Sequence, residues 1–146
     1  MATVNWSTLP ASSTALTTEV NSLASGSNKI MTSSLDNTTT GHLFAAVEMK
    51  LATQGSARSA GAYVALYIVK SVDGTNFEMG GDALTPAASA LAGVFPYDAA
   101  TTARQVAIIV QIPPTKFYFL VQNNTGQAFA ASGNTLIYAM FDEVVA

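Results

Sequence analysis

Residues 104–141 read RQVAIIVQI-PPT-KFYFLVQ-NNTG-QAFAAS-GN-TLIYAMF. Val106, Ile108, Val110 and Ile112 alternate with Ala107, Ile109 and Gln111; Phe117, Phe119 and Val121 alternate with Tyr118, Leu120 and Gln122. Period two in β-branched and aromatic residues predicts strands. Pro113-Pro114 cannot donate to a ladder, so the pair belongs in a turn. Asn123-Asn124-Thr125-Gly126 and Ser132-Gly133-Asn134 predict two more turns. Between them and beyond, Thr135, Ile137, Ala139 and Phe141 form one face of a further strand, and Leu136, Tyr138 and Met140 the other. The whole reads as a β-meander whose strands are apolar on both faces. One face fills a core; the second needs a cover from another sheet, an arm of the chain or a neighbouring subunit.

Working outward, residues 41–51 predict a half-buried strand, with Leu43, Ala45, Val47, Met49 and Leu51 on one face. Residues 52–61 are small and polar, hence a loop. Residues 62–70 are strand again. Asp73-Gly74 then predicts a tight reversal, since Gly accepts positive φ, and Phe77 starts a short return strand. Residues 79–103 are broken by Gly80-Gly81, Pro86 and Pro96. A connection of this length predicts a crossover between two sheets, as in Greek-key or jelly-roll topology, with Asp98 capping a helical turn over residues 99–102.

Residues 1–40 differ. They are rich in Ser, Thr and Asn, with apolar residues occurring singly. They predict an extended N-terminal arm ahead of a β-sandwich domain over residues 41–146. Trp6, Leu9, Leu16 and Val20 are its candidate interface anchors, set to bind a neighbour rather than their own domain. Deleting residues 2–36 is then expected to leave the fold intact and remove assembly.

The chain has 146 residues, one domain's worth, of which 49% are hydrophobic and only 10% charged. A typical soluble domain carries about 25% charged residues. Low charge together with strands apolar on both faces suits a subunit covered by partners, since charge is depleted from interface cores; a homo-oligomer, a trimer first, is expected. Six basic residues without a cluster, in a chain of net charge −3, exclude the electrostatic footprint of nucleic-acid binding. No run reaches the roughly 20 apolar residues of a membrane helix. The N-terminus lacks a signal-like apolar core, which predicts a protein made and kept in a cytoplasm or released by lysis.

Chemistry-bearing constellations are scarce. His42 is the single histidine, there is no cysteine, and no Ser sits in a G-x-S-x-G elbow. Asp73, Asn76, Glu78 and Asp82 offer calcium-type oxygens, but not at EF-hand spacing; local hydrogen bonding in turns accounts for them. Sequons stand at Asn5, Asn37 and Asn123. No cofactor is expected, and an enzyme is the least expected class.

Three turn motifs carry a resemblance. Ser71-Val72-Asp73-Gly74-Thr75-Asn76-Phe77-Glu78, Ile112-Pro113-Pro114-Thr115-Lys116-Phe117 and Gln122-Asn123-Asn124-Thr125-Gly126 resemble small structural proteins of tailed bacteriophages, over roughly residues 60–142. The resemblance implies an all-β, jelly-roll-like antiparallel sandwich. It implies a virion protein, first a capsid decoration (cement) protein that binds the major capsid protein or another virion protein. A tail or fibre component, or a carbohydrate-binding module using Tyr63, Tyr67, Tyr97, Tyr118 or Tyr138 as platforms, are the alternatives.

Overall fold

The period-two runs fold as strands, but consecutive runs do not pair with one another. The computed structural model describes residues 3–145. Its strands are β1 (Val4–Trp6), β2 (Ser13–Leu16), β3 (Asn28–Ile30), β4 (Leu35–Asp36), β5 (Phe44–Leu51) and β6 (Tyr63–Ser71). They continue with β7 (Leu91–Pro96), β8 (Arg104–Gln111), β9 (Lys116–Asn124), β10 (Thr135–Phe141) and β11 (Glu143–Val145). One sheet has the order β2-β10-β5-β8 and the other β3-β9-β6-β7, with β4 also on β9. Every pairing is antiparallel.

The predicted meander is therefore corrected. β8 and β10 lie in one sheet and β9 in the other. Pro113-Pro114 does mark a turn, but the turn carries the chain across the sandwich instead of back along the same sheet. The physical reason is that each run has an apolar side to bury, and alternating between sheets lets all of them share one core. The pairs β2·β10, β3·β9, β5·β8 and β6·β7 are nested. The chain is in effect one long hairpin wrapped around a sandwich, which is the jelly roll.

The core lies between the sheets. Ala45, Val47, Met49 and Leu51 of β5 are buried, as the alternation predicts. They meet Val64, Leu66 and Ile68 of β6 and Phe117, Phe119 and Val121 of β9. On β10 it is Leu136 that is fully buried, with Tyr138 and Met140 packed against the cluster. The structure thus decides which of the two apolar faces of β10 points inward.

The segment read as an arm is also corrected. Leu16 and Val20 are 1% and 0% exposed in the chain's own core, joined by Met31. β2 pairs with β10, and β3 and β4 pair with β9, so residues 13–36 belong to both sheets. Each of these strands has only two to four residues, and a strand that short buries about one side chain. Isolated apolar residues are its sequence signature, and they leave no period to detect. Two smaller expectations fail as well. No strand forms at Phe77, whose ring packs on Tyr118 at 4.7 Å. No helical turn follows Asp98; β7, which the sequence did not reveal, precedes it.

Candidate functional site

The two outer faces of the sandwich are treated differently. On the sheet containing β6 and β9, outward-facing Val69 and Leu120 are fully buried. The chain's own connection between β6 and β7 lies over them. A Cβ built on Gly80 would stand 2.8 Å from Val69 Cγ2 and 3.5 Å from Leu120 Cδ1, so only glycine lets the backbone lie this close. Polar contacts pin the cover down. Asp82 pairs with Lys29 and accepts from the Ile30 amide at 2.9 Å. Asn28 Nδ2 donates to the Leu84 carbonyl at 2.9 Å, and Glu78 meets Lys70 at 3.1 Å.

The outer face of the other sheet is covered only in part: Ala139 and Phe141 are buried beside Leu9 and Trp6, while the outward residues of β8 are exposed. The registers set its outward residues in rows: Phe141–Phe44–Gln111, Ala139–Ala46–Ile109, Ile137–Glu48–Ala107 and Thr135–Lys50–Gln105. Ile109 is 68% exposed. Leu9, Ala46, Ile137 and Ala139 line a groove of about 220 Å3. At one end sits an aromatic cluster. Trp6 meets the rings of Phe44 and Phe141 edge-on at 5.7 and 5.6 Å, yet remains 64% exposed. It is held there because β1 pairs with β11. The Ser7 amide donates to the Asp142 carbonyl at 2.8 Å, and the Asp142 amide donates to Ser7 Oγ at 2.9 Å. Of the four predicted anchors, then, Trp6 and Leu9 lie on this open face and Leu16 and Val20 lie in the core.

The titratable groups are engaged in structure. His42 Nδ1 lies 2.7 Å from Asp142 Oδ2, while Asp142 Oδ1 accepts from the Leu43 amide at 2.8 Å. Burial opposes the charge on Asp142, but the contacts with His42 and Leu43 outweigh it and hold the carboxyl below its usual range. Asp73 accepts from the Asn76 side chain and amide, the Thr75 amide and the Ser71 hydroxyl, which hold it well below the usual carboxylate range. With Asp82 on Lys29 and Glu78 on Lys70, the carboxylates of the calcium-like loop each have a separate partner. Among the described residues no group of three or more His, Asp or Glu side chains converges as metal ligands do.

Arg58 is a residue sequence reasoning passed over. It lies in the small polar loop before β6, yet its side chain is fully buried. Its guanidinium donates to the Asp98 carbonyl (3.1 Å), Asp98 Oδ1 (2.9 Å), Gln54 Oε1 (3.1 Å) and the Thr102 carbonyl (3.0 Å). It also stands 5.6 Å from the ring centre of Tyr97, whose hydroxyl donates to the Met49 carbonyl at 2.7 Å. Arg58 first, and Arg104 with it, hold Asp98 below its usual range. The cluster fastens one end of the sandwich.

Two of the three sequons are structural. Asn37 and Asn123 are 0% exposed. Asn37 Nδ2 donates to the His42 and Pro113 carbonyls, and Asn123 Nδ2 to those of Leu23 and Gln127. Of the five tyrosines, Tyr97 is buried, Tyr118 lies against Phe77, Tyr138 packs on the core and Tyr67 bonds Gln122, while Tyr63 is 39% exposed.

No protein-family model matches the chain, and no curated protein does. A solved structure titled "CBM4 structure and function" is similar with a TM-score of 0.33 at 10% identity, covering 84% of this chain and 78% of its own. At that score the likeness carries no argument.

Proposed function

We propose that this chain is a non-catalytic structural protein of a tailed-phage virion, a decoration protein that attaches to the assembled capsid shell through the open face of the β2-β10-β5-β8 sheet. The observation that carries the reading is the contrast between the two outer faces. The chain covers one with its own connection and leaves the other partly open, apolar and topped by an exposed tryptophan. Burying apolar surface contributes about 25 cal/mol per Å2, and a large aromatic set against a partner pocket is the side chain that most often dominates such contacts. The low charge of the chain fits a face that is covered in its working state. The three turn motifs supply the virion context. Copies arrayed on a lattice act together, so each attachment can be weak.

The test is pelleting with assembled shells of the encoding phage and, separately, with unassembled shell protein. Binding is expected to the assembled shell alone. Trp6→Ala and Leu9→Lys, at positions 64% and 55% exposed, are expected to abolish pelleting while leaving the circular dichroism spectrum and a cooperative melting transition in place. Undiminished pelleting of both variants sinks the reading.

A further inference from the structure

Four sets of strands end the two sheets, and three of them carry devices that discourage pairing with another chain. β2 has four residues and a register shift against β10 at Leu136/Ile137. β3 and β4 have three and two residues, separated by a break. β7 has a register shift against β6, a glycine at residue 93 and Pro96 at its end. β8 has none of these. Its eight residues pair with β5 at every position from Arg104 to Gln111 without a shift, and after Arg104 it contains no charge, glycine or proline. The backbone N–H and C=O groups on its other side have no hydrogen-bond partner among the described residues. Ile109 is largely exposed, and Val106 and Ile108, which point toward the core, remain only half-buried at this margin.

We infer that the free edge of β8 pairs with β8 of a second copy of this chain, antiparallel about a two-fold axis at Ile108. This goes beyond the decoration reading and does not depend on it. The occupant follows from the residues themselves. A two-fold contact brings the same strand from both copies together, and facing residues must lie on the same side of the sheet. Centred on Ile108, the register sets Ala107 opposite Ile109, Gln105 opposite Gln111 and Val106 opposite Val110, with Arg104 opposite Ile112 just past the strand end. Small then faces large, amide faces amide, and no charge faces another. Centred on Ala107, it sets Gln105 opposite Ile109 and Arg104 opposite Val110. Centred on Ile109, it runs past the end of β8 into Ile112 and Pro113. Only the first register pairs the whole of residues 105–111 within the strand without setting an amide against an apolar side chain. It joins two four-stranded sheets into one continuous sheet, satisfies the idle backbone groups and covers Val106 and Ile108. It closes at two copies, in place of the trimer expected from composition.

The chain has no cysteine, so introduced pairs report the register directly. Light scattering at tens of micromolar is expected to give twice the 15.1 kDa chain mass. Oxidised A107C/I109C is expected to run as a covalent dimer on a non-reducing gel, and Q105C/I109C is not. A107K/I109K, with both changes on the outward side, is expected to halve the mass with an unchanged circular dichroism spectrum. A parent mass other than twice the chain's, cross-linking of Q105C/I109C but not of A107C/I109C, or a folded A107K/I109K that stays dimeric would each overturn the inference. Loss of shell pelleting by a Trp6→Ala protein that remains dimeric bears on the decoration reading alone.

Discussion

Replacing Arg58 by Met keeps most of the aliphatic stem and removes every donor from a site the structure closes to water. Gln54 is 5% exposed, so its Oε1, which accepts from Arg58 at 3.1 Å, loses its donor in a place where water does not replace it. The carbonyls of Asp98 and Thr102 lose donors at 3.1 and 3.0 Å. An acceptor left unsatisfied in a buried site costs about 1–3 kcal/mol. The Asp98 carboxylate is left out of the sum, since its side chain is 45% exposed and rehydrates. Against these losses, the buried guanidinium no longer has to be desolvated on folding. The net is about 3–5 kcal/mol, the range found when one partner of a buried charged network is removed. Arg58→Lys is expected to recover only part of it, because an ammonium is a point charge and cannot present a planar fork to four acceptors. Urea denaturation of parent and variants at neutral pH measures the difference. If Arg58→Met falls within about 1 kcal/mol of the parent, below the usual cost of even one unsatisfied buried group, the cluster is not the fastening described.

Gly80→Ala places a methyl 2.8 Å from Val69 Cγ2; overpacking of this kind costs about 1–3 kcal/mol, and faster amide exchange around residues 78–87 is expected to show the cover lifting. Deleting residues 2–36 removes β1, β2, β3 and β4 together with Leu16, Val20 and Met31 from the core, so the truncated chain is expected to show no cooperative unfolding; a sharp transition would restore the idea of a dispensable arm. Stability is expected to fall in acid. Hydrogen bonds from Asn76 and Arg58 lower the folded-state pKa of Asp73 and Asp98 respectively, so their contribution is present above the unfolded value of about 3.9 and is lost as pH falls through the folded values below it. A urea midpoint unchanged between pH 7 and about pH 2.5 would contradict that linkage.

The long strands were legible because each presents three or four alternating apolar residues to one core. The pairing of those strands was not. Alternation says which residues share a face; it does not say which neighbour the strand adopts, and a run apolar on both sides, such as residues 135–141, fits either orientation. β7 was hidden because Ala92 and Gly93 interrupt any period, the glycine accommodating the Ile108 side chain, which a Cβ would meet at 2.8 Å. Trp6 and Leu9 were recognisable as anchors from their isolation, but the same isolation marked Leu16 and Val20. What separates the two pairs is tertiary: Leu16 is on a strand that β10 draws into the sheet, and Trp6 is on a ribbon tied to β11. Arg58 gave little local signal, since apart from Gln54 its partners lie 40 and 44 residues further along the chain.

The open face also has a direction. Its apolar rows lie toward Trp6, where Phe141, Phe44, Ala139, Ala46 and Ile109 stand together, and Ala46, Ala107 and Ala139 keep it flat. The far rows carry Glu48, Lys50 and Gln105, with Gln105 Nε2 donating to Glu48 Oε1 at 2.9 Å. Charged groups cost most to desolvate and gather at the rims of interfaces. A partner that covered the whole face evenly would have to strip water from Glu48 and Lys50 for no paired charge on this chain. One seated over the Trp6 end leaves them wet. The pattern therefore fixes the order of effects along the sheet: substitutions near Trp6, Leu9 and Ala139 should weaken attachment strongly, and those at Lys50 or Gln105, in the row farthest from Trp6, should change little beyond its salt dependence.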